Sequence, residues 1–179
     1  MSRGVIYPPL NHPVNLTIIR YLHFSLLLLV ISLGIHASPD LKRINLIVSD
    51  LDRSLEIYRD VIGMEVFEIK NSKKGSYAYK VFNLPKNAEM RFASLNVGSK
   101  SRGFSLTEIK NTELPSLDGI KMTTAVIQVE GLREIYKKIV KMNLNSTAID
   151  EDLTPEGETF AEFSFTDYDG HLVVLYELK

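Results

Sequence analysis

Apolar and polar positions follow two periods along this chain, and their alternation predicts the elements. "INLIVSD", Ile44 to Asp50, is an almost unbroken apolar run rich in β-branched residues, which marks a strand covered on at least one face. Leu51, Leu55, Tyr58 and Ile62 then recur at helical spacing, so a helix follows with one stripe against a sheet. Ser49 or Asp50 stands where a helix cap is needed, and Gly63 supplies a left-handed stop before "MEVFEI" resumes as strand. Further strand patterns lie in "EMRFASLNV" and "GFSLTEI"; "YAYKVFNLP" is ambiguous and leans to a short helix.

The same order returns later in the chain. "EIYRDVIGM" at Glu56–Met64 is matched by "EIYKKIVKM" at Glu134–Met142, and "IVSDL" before the first is matched by "QVEGL" before the second. "TFAEFSF" and "HLVVLYEL" then supply two more strands. Between the copies, "KNTELPSLDGIK" carries Pro115 and Gly119 and reads as a linker.

Composition changes this picture mainly by exclusion. With 179 residues, 45% hydrophobic and 24% charged, the chain is long enough to bury a core without covalent staples. A formal net charge of -1 and the lack of a basic block leave no phosphate-tracking surface for nucleic acid. Cysteine is absent, which removes disulfides, thiolate nucleophiles and cysteine metal sites together.

The first 37 residues stand apart. They contain no Asp or Glu, two arginines (Arg3 and Arg20) and the apolar run Phe24–Ile35, followed by "HAS". A run of twelve residues is too short to span a hydrocarbon layer of about 30 Å, and the layout is that of a secretory signal covering residues 1–37, cleaved after Ala37. The expected location is therefore periplasmic or secreted. An uncleaved amphipathic anchor or a buried helix is the alternative for this segment.

The motifs "VSDLDRSLEIYRDVIGMEV" near the start and "FTDYDGHLVVLYE" at the end, with the doubled pattern between them, resemble the vicinal oxygen chelate superfamily, which includes glyoxalases, bleomycin and fosfomycin resistance proteins and extradiol dioxygenases. The resemblance covers about Leu41–Glu177. It implies an α+β fold of two tandem βαβββ modules, about 41–112 and 120–179, forming a curved mixed sheet around a shared cleft. It also implies a divalent metal on four inward side chains, and a homodimer as one common assembly.

The metal can be tested position by position. By the resemblance, the four ligand positions fall on Arg43, on Ser105 or in the other register Thr107, on Thr124, and on Val174. None is a good ligand for a hard or borderline divalent ion, and an arginine does not deprotonate to ligate a cation. No metal and no cofactor is therefore expected at these positions.

Other chemistry is thin. His171 reads as a partly exposed turn residue, Asp167 and Asp169 as solvated turn-formers, and Tyr58 and Tyr136 as helix-stripe core. No GxSxG nucleophile elbow occurs.

Period two on the first strand places Arg43, Asn45 and Ile47 on one face and the all-apolar Ile44, Leu46 and Val48 on the other, against the helix. The cleft candidates are accordingly Arg43, Asn45, Ser105, Thr124, Gln128 and Tyr176. One cation, a few amides and hydroxyls and several apolar groups suit a small organic, anionic ligand. The reading is an exported, metal-free binding protein. The alternative is an enzyme of the glyoxalase, epimerase or dioxygenase type with a metal site elsewhere.

Overall fold

A computed structural model describes residues 40–179. The signal expected over residues 1–37 lies outside the described residues. Residues 41–179 form one unit, in which no described helix is long and apolar enough to cross a membrane.

The first module runs β1 (Ile44–Val48), α1 (Leu51–Leu55) continuing into a π-helical segment (Glu56–Val61), β2 (Glu65–Asn71), α2 (Tyr77–Val81), β3 (Glu89–Val97) and β4 (Lys100–Lys110). The second runs β5 (Thr124–Gln128), α3 (Leu132–Lys141), β6 (Asp150–Leu153), β7 (Thr159–Thr166) and β8 (Leu172–Leu178). Each makes a four-stranded mixed sheet, in the orders β1-β4-β3-β2 and β5-β8-β7-β6. In both, the first strand pairs parallel to the last and the remaining neighbours are antiparallel. This is the α+β arrangement of two βαβββ modules that the resemblance implies, with the ambiguous "YAYKV" resolved as helix.

Local chemistry accounts for the first helix. The Asp50 side chain accepts the Arg53 N–H at 3.1 Å, which caps the helix and holds the Asp50 carboxyl below its ordinary value. Gly63, at φ +88°, ends it as expected. The second half departs from the expected stripe. Ile62 N–H bonds to Ile57 O, five residues back, and this wider turn buries both Ile57 and Tyr58 completely while leaving Ile62 half-buried.

The helix-covered faces of both sheets feed one hydrophobic cluster. Val48, Leu51, Leu55, Leu95, Phe104 and Leu106 from the first module join Ala125, Ile127, Leu132, Ile139, Phe163 and Leu175 from the second. The modules are also stitched by polar bonds. Tyr58 donates its hydroxyl to Asp167 Oδ2 at 2.8 Å, Ser49 N–H donates to Asp169 Oδ1 at 2.9 Å, and His171 Nε2 lies 2.7 Å from Ile47 O. Asp167 is therefore no solvated turn residue. It is buried, and accepts the Asp169 and His171 N–H groups besides the tyrosine hydroxyl.

The unanticipated strand is β6. Its sequence, "DEDL", shows no apolar alternation, and all four residues are exposed. It pairs on one side only, with β7, at the sheet's edge, where charged side chains guard against further strand addition.

Candidate functional site

The inner face of the first sheet, opposite α1, is built by period two. Parallel pairing sets Asn45 beside Ser105 and Ile47 beside Thr107, and antiparallel pairing sets Phe92 beside Thr107 and Ser94 beside Ser105. Arg43, Asn45, Ser105 and Thr107 thereby share one face, as the parity of β1 requires. A small second cluster of Tyr79, Ala88, Met90 and Ile109, with Ile47 and Ala78 packed on it, anchors α2 over that same face.

Between α2 and the sheet lies a pocket of about 340 Å³, lined by Arg43, Asn45, Ser105 and Thr107 together with Ala78, Phe82, Met90 and Phe92. Its polar groups are already engaged with one another. Arg43 Nη1 donates to Ser105 Oγ at 3.2 Å, and Thr107 Oγ1 donates to Asn45 Oδ1 at 2.7 Å. Ser105 and Thr107 are buried while Arg43 and Asn45 are half-buried. Arg43 makes no ion pair with a carboxylate among the described residues.

Three of the six candidates from the sequence, Arg43, Asn45 and Ser105, thus meet in one pocket. Thr124, Gln128 and Tyr176 do not join them. Among the described residues the lining comes from the first module alone. Thr124 is exposed and donates its hydroxyl to Leu172 O at 3.0 Å, Gln128 is exposed, and Tyr176 is half-buried with its ring 5.3 Å from that of Phe160. The physical reason is α2, which follows β2 and folds over the first sheet, whereas the corresponding connection of the second module, residues 154–158 between β6 and β7, is a short turn. Val174 faces the same way as Tyr176, on the second sheet.

Sequence reasoning missed the apolar half of the lining. Met90 and Phe92 were legible, since period two along Glu89–Val97 puts them opposite Ala93 and Leu95 of the core. Ala78 and Phe82 were not, because a helix of five residues carries too short a pattern to show which way it folds.

The residues at the family's metal positions do not fit a divalent cation. Arg43 directs a guanidinium nitrogen at Ser105, the hydroxyl nearest in register, and Thr124 and Val174 lie on the other sheet. Two strand-end glutamates, Glu108 and Glu177, are employed elsewhere. Glu108 is buried on the helix side, where it accepts the Leu51 N–H at 2.9 Å and bonds Arg91. Burial pushes its carboxyl up, but the Leu51 N–H and the Arg91 guanidinium outweigh this and hold it below its ordinary value. Glu177 takes the equivalent place in the second module, accepting the N–H groups of Gly131 and Leu132. No group of three or more His, Asp or Glu side chains converges as a metal site would need among the described residues.

Two βαβββ modules, each with a helix on one sheet face, and a ligand-sized pocket on the opposite face of the first, define the paired-module α+β class. Residues 40–175 match the sequence profile of the Glyoxalase/Bleomycin resistance protein/Dioxygenase superfamily, and the chain belongs to that family. Its fold is similar to that of a glyoxalase family protein from Bacillus cereus, with a TM-score of 0.62 at 16% identity, covering 81% of this chain and 99% of that one. It is also similar to the trypanothione-dependent glyoxalase I of Leishmania major, with a TM-score of 0.51 at 22% identity over 78% of this chain and 87% of that one. A genomically encoded fosfomycin resistance protein from Listeria monocytogenes gives a TM-score of 0.50 at 18% identity, over 78% and 93% of the two chains. At such identities the likeness is one of fold. No curated protein matches the chain in sequence.

Proposed function

We propose that this chain is an exported binding protein that holds a small organic anion in the pocket of its first module without a metal. The observation that carries the reading is Arg43. It is half-buried at a pocket otherwise free of charge, and it stands where the family resemblance puts a metal ligand. A guanidinium presents a planar fork of donors that suits carboxylate and phosphate, and a charge-assisted bond of this kind is worth roughly 1.5 to 3 kcal/mol when partly desolvated, or about one to two decades of affinity. Asn45, two residues along the same face, adds an amide that orients the ligand.

The test is a thermal-stability screen of small carboxylates and phosphates on the mature protein, repeated on Arg43→Met, which keeps the stem and removes the charge. A ligand that binds the native state raises the melting temperature by an amount that grows with the logarithm of its concentration over its Kd. The best hit should lose its stabilisation in the variant. Tight binding that requires added Zn, Ni, Mn or Fe and ignores Arg43 would return the protein to the metal-dependent enzymes of its family.

Export rests on the apolar run Phe24–Ile35, the arginines ahead of it and the small residues after it. Mass spectrometry of native material should find the N-terminus near Ser38. A homodimer completes the reading. Ile120 and Met122 in the linker are 97% and 98% exposed, Val126 and Leu153 are 62% and 60% exposed, and a partner subunit would take such side chains out of water. Light scattering that returns a monomer mass at micromolar concentration would remove the dimer.

A further inference from the structure

We infer that the anion taken by this pocket carries one negative charge on an apolar body, as an aromatic or aliphatic carboxylate does; this rests on the anion-binding reading above and narrows it to a ligand class. Three observations point the same way, and the first is charge. Arg43 is the one charged residue in the lining. Glu68, an acid within electrostatic reach of Arg43, is itself paired with Lys70. A single unpaired guanidinium neutralises a single charge, and a phosphate dianion would leave the second uncompensated.

The second observation is the donor inventory. Ser105 Oγ accepts from Arg43 and so keeps its own hydrogen to donate. Asn45 Oδ1 accepts from Thr107 and so leaves its amide N–H groups unspent. Arg43 has further N–H groups beyond the one used. The hydrogens left over, on Arg43, Asn45 and Ser105, outnumber the lone pairs left on Thr107, Asn45 and Ser105, and they suit a group that only accepts, which is what a carboxylate is.

The third observation is the walls. Ala78 and Phe82 on one side and Met90 and Phe92 on the other offer no polar side-chain group. A sugar acid would strip water from its hydroxyls against these side chains and find no partners there. An apolar body instead gains about fourfold in affinity for each methylene it buries. The volume of about 340 Å³ equals the liquid space of roughly eleven waters, room for about ten non-hydrogen atoms.

The larger pocket beside it shows the contrast. Lined by Asp52, Lys74, Glu89, Arg91, Glu108 and Lys110 among others, it holds charges that pair with one another, Arg91 with Asp52 and Glu108, and Lys74 with Glu89. It has no cation to spare for a ligand.

Calorimetric titration of the full mature chain with benzoate, hexanoate, acetate, inorganic phosphate and benzyl alcohol decides the matter. Benzoate and hexanoate should bind at least tenfold more tightly than acetate, phosphate or the uncharged alcohol. Arg43→Met should weaken benzoate ten- to a hundredfold. Phe82→Ala, at a ring 39% exposed, should weaken benzoate several-fold and acetate by less. Acetate or phosphate binding as tightly as benzoate, with full dependence on Arg43, would overturn this inference and leave the anion-binding reading standing. Benzoate bound equally by Arg43→Met would overturn the anion reading itself. Silence from all five probes at ten millimolar overturns both.

Discussion

The two modules share strand order, register type and a strand-end glutamate that accepts an N–H at the start of their helices, yet they treat their inner faces differently. In the first, α2 (Tyr77–Val81) folds over the sheet and encloses a pocket. In the second, the face bearing Thr124, Val126 and Gln128 is open to solvent. The first module also spends more on its helix terminus. Glu108 is 4% exposed, accepts the Leu51 N–H and lies within ion-pair distance of Arg91 and Lys110, while Arg91 reaches on to Asp52. Its counterpart Glu177 is half-buried and accepts N–H groups from Gly131 and Leu132, a start at φ +72° with no side-chain cap of its own. A repeated topology therefore does not mean a repeated site. What an inserted segment covers decides which copy encloses a pocket.

The largest expected effect tests the helix termini. Glu108→Ala should cost about 3 kcal/mol, since it strips a buried acceptor from Leu51 and leaves Arg91 half-compensated, while Glu177→Ala should cost about 1 kcal/mol. Urea unfolding of both variants measures this, and equal losses would break the asymmetry. The pH dependence carries the same signature. Because the folded Glu108 carboxyl titrates below its ordinary value of 4.5, its contribution is fully present above that value and is lost as pH falls through the lower folded value. The unfolding midpoint of Glu108→Gln should consequently fall less steeply than that of the parent below pH 4.5.

A smaller effect probes the seam between the modules. Tyr58→Phe removes the hydroxyl bonded to Asp167 and should cost about 1 to 2 kcal/mol by thermal unfolding, with the ring packing against Phe104 kept. A neutral result would mean that the apolar cluster alone joins the two halves.

The smallest expected effect sharpens the comparison most. Thr124→Val and Gln128→Ala should leave the affinity for any ligand of the Arg43 pocket within twofold, measured by calorimetry. A tenfold loss from either would bring the second sheet into the site, as a shared cleft requires.

Much of this molecule is legible in its residues one at a time. The strand β1, the cap at Asp50, the stop at Gly63 and the parity that turns Arg43 and Asn45 away from the helix all follow from period, side-chain type and φ preference, which act over a few neighbouring positions. The likeness between residues 56–64 and 134–142 announces two modules for the same reason. Tertiary structure alone decided the rest. The acidic β6 exists because β7 offers an open edge, not because "DEDL" prefers a strand. The π-helical turn that buries Ile57 beside Tyr58 answers to packing against the sheet. Asp167, a turn-former by its local sequence, is buried because a hydroxyl 109 residues away comes to meet it. Above all, the direction in which α2 folds is invisible in five residues, since its position comes from contacts of Tyr79 and Ala78 with residues far along the chain. That direction closes a pocket over Arg43 and leaves Thr124, its partner in the repeat, facing water.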